Sequence, residues 1–256
     1  MEITIVITMA GFGNRFRQVG YLMPKYQIPA YGKTLFDWSM LSLQGYQKQT
    51  VQYIFVVRKE DDAVKFLEDH CRTLHIKRFK ILELDAPTDG QATTALLASQ
   101  YWDRRTALLI YNIDTFVEPG ELNSEELRGD GFIPCFNGAG DHWSFVKTDC
   151  SGRAVEVKEK VRISDHCTLG AYYFRTCALY EELYGEYYRD NSHLEKGEKY
   201  VAPLYNYLIS KGGVFLFLRW RRIRFMYWGH LRNYRCFWIE AFLCNKCYGC
   251  IIFGVL

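Results

Sequence analysis

Residues 3–16 have the sequence Ile-Thr-Ile-Val-Ile-Thr-Met-Ala-Gly-Phe-Gly-Asn-Arg-Phe, an apolar run followed by a turn that contains two glycines. The run is rich in β-branched residues, which predicts a strand that is buried on both faces. The turn Gly11-Phe12-Gly13 leaves backbone N–H groups free to bind phosphate oxygens or the edge of a base. This opening therefore predicts a buried strand that ends at a ligand-binding turn.

The residues that follow alternate predicted helices with predicted strands. Helices are expected at 35–45, 61–74 and 91–101, and strands at 51–57, 78–84 and 107–111. Beyond residue 130 the pattern predicts shorter strands at 143–147, 154–157 and 168–174, and helices at 177–188 and 199–211. Such alternation indicates a sheet that is covered by helices on both faces. We therefore predict a three-layer α/β/α, Rossmann-like fold around one mixed, mostly parallel sheet.

The composition is that of a globular protein from a reducing compartment. Of the 256 residues, 49% are apolar and 24% are charged, which excludes an intrinsically disordered chain. No apolar run approaches the roughly 20 residues of a membrane-spanning helix. Glu2 stands where a signal peptide carries positive charge, and the nine cysteines are irregularly spaced. We expect a cytoplasmic protein with reduced thiols and no membrane span.

The glycine turn is followed by two cations, Arg15 and Lys25. The spacing Gly11-x-Gly13-x-Arg15 lacks the third glycine of the dinucleotide fingerprint and the Gly-Lys-Ser/Thr of a P-loop. Two cations beside such a turn suit a triphosphate whose charge shifts during reaction. A structural turn with solvated basic residues is the alternative, and the glycines alone favour it.

Asp114 is predicted to end the strand that covers 107–111. In open α/β sheets ligands bind at the carboxyl ends of the strands. A carboxylate placed there can hold Mg²⁺, which takes few carboxylates and completes its shell with phosphate and water. A strand-terminal Asp that caps the next turn explains Asp114 equally well.

Taken in order, several short motifs resemble those of the nucleoside-triphosphate:sugar-phosphate nucleotidyltransferase family. They are Ala10-Gly11-x-Gly13-x-Arg15-Phe16, Pro24-Lys25, Gly90-Gln91-Ala92, Asn112-x-Asp114, Glu159-Lys160 and a strand that contains Gly170. A joint match of ordered motifs is more specific than any one of them. The resemblance covers roughly residues 3–218 and implies a GT-A-like nucleotidyltransferase fold. It implies one domain at 1–218, with a nucleotide-binding half at 1–120 and an acceptor-binding half at 121–218.

The resemblance also assigns roles to residues. Ala10, Gly11, Gly13 and Asn112 would bind the nucleotide, with Gln91 near the base. Arg15 and Lys25 would contact its phosphates, and Asp114 would bind Mg²⁺ as the metal ligand. Glu159 and Gly170 would face the acceptor, and Lys160 would bind the acceptor phosphate. Arg15, Lys25, Asp114 and Lys160 would be the catalytic set.

The stretch Glu198-Lys199-Tyr200-Val201-Ala202-Pro203-Leu204-Tyr205-Asn206 is similar to stretches in nucleotidyltransferases of capsule and surface-polysaccharide biosynthesis. That subgroup includes enzymes that join CTP to small phosphorylated amines or alcohols. By this resemblance Tyr200 and Asn206 would contact the acceptor. A helix start with an aromatic packing face is an equally good interpretation.

The implied reaction transfers a nucleotidyl group from CTP, UTP or dTTP to a phosphorylated acceptor and releases pyrophosphate. The acceptor phosphate is already ionised at neutral pH, so no general base is required. Catalysis then consists of aligning two polyanions and neutralising their repulsion. We expect no nucleic-acid partner, and homo-oligomerisation stays open. The alternatives are a GT-A glycosyltransferase that uses a nucleotide sugar, against which Arg15 and Lys25 argue, and a catalytically silent binding relative.

Residues 219–256 differ from the rest of the chain. They carry seven Lys/Arg and one acid, a local charge of +6, whereas residues 1–218 carry 25 basic and 28 acidic residues. The spacing Cys244-x-x-Cys247-x-x-Cys250 fits a metal site, and arginines among aromatics fit a nucleic-acid or acidic-lipid surface.

The third and favoured interpretation of residues 219–256 is a frameshift. Reading the codons of Met226-Tyr227-Trp228-Gly229 from their third bases forces Val-Leu-Gly. Permitted codons for residues 230–234 continue this as Thr-Pro-Glu-Glu-Leu, an ending typical of the family. We therefore predict an out-of-frame segment in which Trp220, Trp228, Trp238 and the Cys244–Cys250 cluster are exposed or loosely packed, with few contacts to residues 3–218.

Overall fold

The computed structural model describes residues 1–18, 20–47, 49–190 and 192–213, and beyond these the backbone of four strands. The strands are β1 (Glu2–Thr8), β2 (Pro29–Ala30), β3 (Lys33–Thr34), β4 (Thr50–Arg58), β5 (Phe79–Leu84), β6 (Ala107–Asn112), β7 (Thr115–Val117), β8 (Gly131–Asn137), β9 (Ser144–Thr148), β10 (Ala154–Glu159), β11 (His166–Thr168), β12 (Ala171–Phe174), β13 (Phe215–Arg219), β14 (Arg224–Tyr227), β15 (Trp238–Glu240) and β16 (Ile252–Gly254). The α-helices are α1 (Asn14–Gln18), α2 (Leu35–Ser42), α3 (Val64–Thr73), α4 (Gln91–Leu97), α5 (Cys177–Tyr187) and α6 (Leu204–Ser210).

One large mixed sheet organises the chain, in the order β10-β9-β11-β8-β12-β6-β1-β4-β5, with β13 paired to β8. β1 lies between β4 and β6 and is parallel to both, so that Ile5 stands opposite Tyr53 and Leu109. The strands from the second half join this parallel core through β12, which runs antiparallel to β6. The carboxyl ends of β1, β4 and β6 therefore meet at one edge of the sheet.

Helices cover both faces of this sheet. Alternate residues of β1 point to opposite sides, as the pleat of a strand requires. Ile3, Ile5 and Ile7 pack in the same core as residues of α2 and α3. Val6 packs in a second core with residues of α4, α5 and α6. The predicted three-layer α/β fold is confirmed.

Most elements predicted in the first half are present with small shifts at their ends. The predicted helix 61–74 begins as a 3-10 turn at Lys59–Asp61 and becomes α-helical only at Val64. The predicted helix 91–101 is α-helical to Leu97 and ends in a 3-10 turn at Ala98–Tyr101. These differences lie at helix ends, where the terminal turn often has 3-10 geometry.

Two predictions for the second half are corrected by the structure, and one strand was not predicted. The strand predicted at 168–174 is two strands, β11 and β12, because the chain turns at Gly170, whose φ is +79°. The helix predicted at 199–211 begins only at Leu204, after Pro203. β8 was not predicted, since Pro134 in its middle is atypical of a central strand.

The segment 219–256 is described only in part. β14 pairs with β7 over three residue pairs, such as Met226 opposite Phe116, and continues through β15 to β16. β14 thus pairs with residues 3–218 through its backbone, and Trp238, in β15, stands opposite residues of β14 and β16. Trp220, Trp228 and the Cys244–Cys250 spacing lie outside the described residues. Among the helices that the structure describes, none is long and apolar enough to span a membrane.

Candidate active site

A cavity of about 390 Å³ opens where β1 and β6 end. Its wall includes every residue predicted to bind the nucleotide: Ala10, Gly11, Gly13, Gln91 and Asn112. Lys25 and Asp114 also line it. The structure thus brings together seven predicted site residues from four parts of the sequence, at 10–13, 25, 91 and 112–114. We call this space the nucleotide cavity.

Lys25 and Asp114 form an ion pair inside the nucleotide cavity. Lys25 Nζ donates to Asp114 Oδ2 over 3.0 Å, and the two side chains are only 18% and 14% exposed. Lys25 begins a short 3-10 helix, Lys25–Gln27, and Asp114 follows the end of β6. Arg15 lies in α1, directly after the glycine turn, but its side chain is outside what the structure describes.

Gln91 is the first residue of α4 and is held by two neighbours. Its Nε2 donates to Thr8 Oγ1 over 3.0 Å and to Asn112 Oδ1. The preceding residue must be glycine, because Gly90 has φ +143° and a Cβ there would lie 2.9 Å from the carbonyl carbon of Lys199. The close approach lets Ala92 N donate to Lys199 O over 3.0 Å. This hydrogen bond holds the chain at Lys199 beside the nucleotide cavity.

A second cavity of about 200 Å³ adjoins the first and shares Gln91 and Asn112 with it. Four residues predicted for the acceptor or its phosphate line it: Glu159, Lys160, Gly170 and Tyr200. The sequence did not single out the other lining residues, among them His142, Trp143, Ser144, Thr168 and Tyr172. We call this space the acceptor cavity.

Glu159 is the carboxylate of the acceptor cavity. Its Oε2 accepts a hydrogen bond from Ser144 Oγ, on the neighbouring strand β9, and its Oε1 lies 3.5 Å from Lys160 Nζ. Burial raises the pKa of Glu159, although the Ser144 hydroxyl and the Lys160 ammonium act in the opposite direction. The result is a buried carboxylate that is held in one place and can accept hydrogen bonds.

Lys160 takes an unusual backbone conformation to reach the cavity. Its φ is +53°, which is uncommon for a residue with a side chain, and its N–H donates to Trp143 O over 2.9 Å. Its Nζ donates to Tyr200 Oη over 2.6 Å. Burial raises the pKa of the Tyr200 hydroxyl, and a hydrogen bond with Glu198 raises it further. Lys160 thus stands as a cation between Glu159 and Tyr200.

Gly170 and Asn112 lie between the two cavities. Asn112 N donates to Gly170 O over 2.9 Å. A Cβ on Gly170 would lie 2.8 Å from the amide carbon of Asn112 and closer still to its nitrogen. Only glycine therefore permits this approach of β6 and the turn before β12.

Asn206 is the one predicted acceptor residue that the structure uses elsewhere. Its Nδ2 donates to Val157 O, and its Oδ1 accepts from Val157 N, each over 2.8 Å. Both polar atoms of the amide are thereby engaged in holding α6 against β10. Asn206 acts on the site only through β10, the strand that ends at Glu159.

The donors present fit a single magnesium ion better than a metal cluster. Within the described ranges, no three His, Cys, Asp or Glu side chains are grouped to hold a metal. Asp114 supplies one hard carboxylate to a cavity that the glycine turn and Lys25 also line. Mg²⁺ is commonly held in proteins by one or two carboxylates and by substrate phosphates.

Comparison with solved structures places the fold among the sugar-phosphate nucleotidyltransferases. The nucleoside-diphosphate-sugar pyrophosphorylase of Vibrio cholerae RC9 is 37% identical, matches with a TM-score of 0.79, and the match covers 88% of this chain and 95% of that one. A glucose-1-phosphate thymidylyltransferase of Bacillus anthracis matches with a TM-score of 0.71 at 13% identity, over 89% of this chain and 90% of that one. The inositol-1-phosphate CTP transferase of T. maritima matches with a TM-score of 0.67 at 16% identity, over 87% of each chain.

The chain belongs to the nucleoside-diphosphate-sugar pyrophosphorylase family. The two more distant structures show the shared fold alone. No protein-family model matches the chain, and a search of curated proteins finds no relative.

Proposed function

We propose that this protein is an enzyme that transfers a nucleotidyl group from a nucleoside triphosphate to a phosphorylated acceptor and releases pyrophosphate. The observation that carries the proposal is the meeting of two cavities at Gln91 and Asn112. One cavity holds the glycine turn and Lys25, and the other holds Lys160. Each of two anionic substrates would thus have its own cation, and their reacting groups would meet at the shared wall.

In the proposed reaction an oxygen of the acceptor phosphate attacks the α-phosphorus of the triphosphate. The bond from that phosphorus to the bridging oxygen of pyrophosphate breaks, and pyrophosphate leaves with the electron pair. No proton has to move, because the acceptor phosphate is already ionised. Lys25 and Arg15 would neutralise the triphosphate, and Lys160 would bind the acceptor phosphate. Alignment and charge neutralisation are the main sources of rate in this chemistry.

Asp114 is the residue we propose to hold Mg²⁺. The ion, when bound, would neutralise charge on the triphosphate. Lys25, which pairs with Asp114 Oδ2, would contact the phosphates of the triphosphate. Glu159, fixed by Ser144, would accept hydrogen bonds from hydroxyl or ammonium groups of the acceptor and so orient it.

The finer assignments are also proposals. CTP, UTP and dTTP are the donors to test, since solved structures with this fold include a thymidylyltransferase and a CTP transferase. The acceptor would be a sugar 1-phosphate or a small phosphorylated amine or alcohol. We propose a role in capsule or surface-polysaccharide biosynthesis, and we propose that residues 1–218 form the catalytic domain.

The test is a pyrophosphate-release assay with four NTPs against a panel of phosphorylated acceptors. We expect release only with one NTP, one acceptor and Mg²⁺ together. Asp114→Asn keeps the size of the side chain and removes its charge, so turnover should fall by several orders of magnitude while the protein stays folded, with a lower melting temperature because Lys25 loses its partner. Near-wild-type turnover of Asp114→Asn at saturating Mg²⁺ would remove Asp114 from the mechanism. Turnover of a finished nucleotide sugar without pyrophosphate release would favour a glycosyltransferase instead.

A further inference from the structure

A buried ion pair lies behind the nucleotide cavity, where β4 ends. The side chains of Arg58 and Asp61 are only 5% and 4% exposed. The guanidinium donates to both oxygens of the Asp61 carboxylate and also to Glu60, which faces solvent. Because burying two charges costs free energy that their attraction does not reliably return, such a pair is weak evidence for stability. Its contacts suggest a different use.

The pair contacts Phe12, which lines the nucleotide cavity, and Tyr26, the neighbour in sequence of the lining residue Lys25. The Arg58 guanidinium stacks over the ring of Phe12, 5.3 Å from the ring centroid. Phe12 stands between the two glycines of the turn and lines the cavity, with 47% of its surface exposed. On the other side, the buried Tyr26 donates from its hydroxyl to Asp61 Oδ2 over 3.1 Å.

Tyr26 follows Lys25 directly in the chain and shares its short 3-10 helix. The glycine turn and the 3-10 helix that contains Lys25 are both short, and neither belongs to a long helix or strand. Each contacts the ion pair between Arg58 and Asp61. We name Phe12, Tyr26, Arg58 and Asp61 the Arg58 cluster.

We propose that Arg58 and Asp61 are positioning residues that fix the distance between the glycine turn and Lys25. This proposal rests on the proposed function, because it assumes that the turn and Lys25 bind one triphosphate. The physical reason is that a misplacement of about 1 Å in a phosphoryl-transfer site can cost about 10² in rate. The cluster would therefore act on nucleotide binding and turnover and leave acceptor binding unchanged.

The test uses mild variants at the two ends of the cluster. Phe12→Leu keeps an apolar side chain and removes the ring, so the KM for the NTP should rise roughly threefold to tenfold. Phe12→Tyr keeps the ring and its contact with Arg58, so its KM for the NTP should rise less than that of Phe12→Leu. Tyr26→Phe removes the hydrogen bond to Asp61 and should lower kcat roughly tenfold.

Tyr205→Phe is the matched control for Tyr26→Phe. Its hydroxyl, also buried, donates to Tyr173 O over 2.6 Å, and Tyr205 lines neither cavity. We expect Tyr205→Phe to lower the melting temperature and to leave the kinetic constants unchanged. All four variants are compared by melting temperature, by KM for each substrate, and by calorimetric binding of CTP, UTP and dTTP.

The readouts separate the two proposals. A wild-type protein that binds no NTP and releases no pyrophosphate would overturn both. A wild-type protein that binds an NTP, together with Phe12→Leu and Tyr26→Phe proteins that retain wild-type constants, would overturn only the positioning role. Equal changes in the KM for the nucleotide and for the acceptor would also overturn it, since they would indicate a general structural defect.

Discussion

Replacing Gly170 by alanine should separate two effects that a glycine can have. Gly170 has φ +79°, a left-handed conformation that costs an ordinary residue about 1–2 kcal/mol. It also lies against Asn112, whose amide carbon would be 2.8 Å from the new Cβ. The alanine would therefore suffer from backbone strain and from a clash with the side chain that joins the two cavities.

Gly152→Ala is a matched control, because Gly152 has φ +82° and no atom within 4 Å of an added Cβ. Both substitutions pay the left-handed strain, and both gain up to about 1 kcal/mol from a stiffer unfolded chain. Only Gly170→Ala adds overpacking, which typically costs about 1–3 kcal/mol. The difference between the two variants should therefore be about 1–3 kcal/mol of unfolding free energy.

Urea denaturation of both variants and the wild type measures this difference, and equal m-values would show that the unfolded states match. Displacing Asn112 also loosens its bond to Gln91, so Gly170→Ala should weaken nucleotide binding while Gly152→Ala should not. Equal destabilisation of the two variants, within about 0.5 kcal/mol, would refute the clash and with it our account of why glycine is required at 170.

Three further predictions address charge and the chain's end. Lys25→Ala should lower turnover by about 10²–10³ without changing the acceptor KM, and a rise in the acceptor KM alone would move Lys25 to the acceptor site. Burial raises the pKa of Glu159, so the wild type should lose stability as the pH rises above the ordinary glutamate pKa of 4.5. The stability of Glu159→Gln relative to that of the wild type should therefore be higher at pH 7 than at about pH 4. A pH-independent difference between Glu159→Gln and the wild type would contradict this. Restoring the reading frame near codons 216–221 should give a more soluble protein that contains Val-Leu-Gly-Thr-Pro-Glu-Glu-Leu, and resequencing that finds no shifted base would refute the frameshift hypothesis.

The first half of the fold could be predicted because its signals are local. The run that forms β1 is apolar and β-branched over consecutive residues, and α3 has its apolar residues on one face. β8 could not be predicted in this way, since Gly131 and Pro134 weaken its strand pattern. It is a strand because β11, β12 and β13 pair with it, and these contacts join residues far apart in the sequence.

In the candidate site, too, residues with a local sequence signal could be predicted and residues placed by tertiary contacts could not. Lys25, Gln91 and Asp114 could be named from motifs, and the structure brings them to one cavity. Ser144 could not be named, because its only signal is its contact with Glu159 across two strands. Asn206 was assigned to the acceptor, yet an asparagine in a helix can equally bind the backbone of a neighbouring strand, as it does at Val157. Sequence patterns identify side chains of suitable chemistry, and tertiary contacts decide which of them remain free to act.

The ion pair between Lys25 and Asp114 couples the phosphate-binding role proposed for Lys25 to the metal-binding role proposed for Asp114. The residues are 89 positions apart, and sequence reasoning assigned one to phosphate and the other to a metal. With both side chains largely buried, an unpaired charge on either would be costly, so each neutralises the other in the absence of ligand. A triphosphate alone would offer Lys25 a new partner but leave Asp114 unpaired beside a polyanion. A triphosphate that carries Mg²⁺ would give each residue a partner of the required sign, so under the proposed function we expect the metal-bound nucleotide to bind more tightly than the free one.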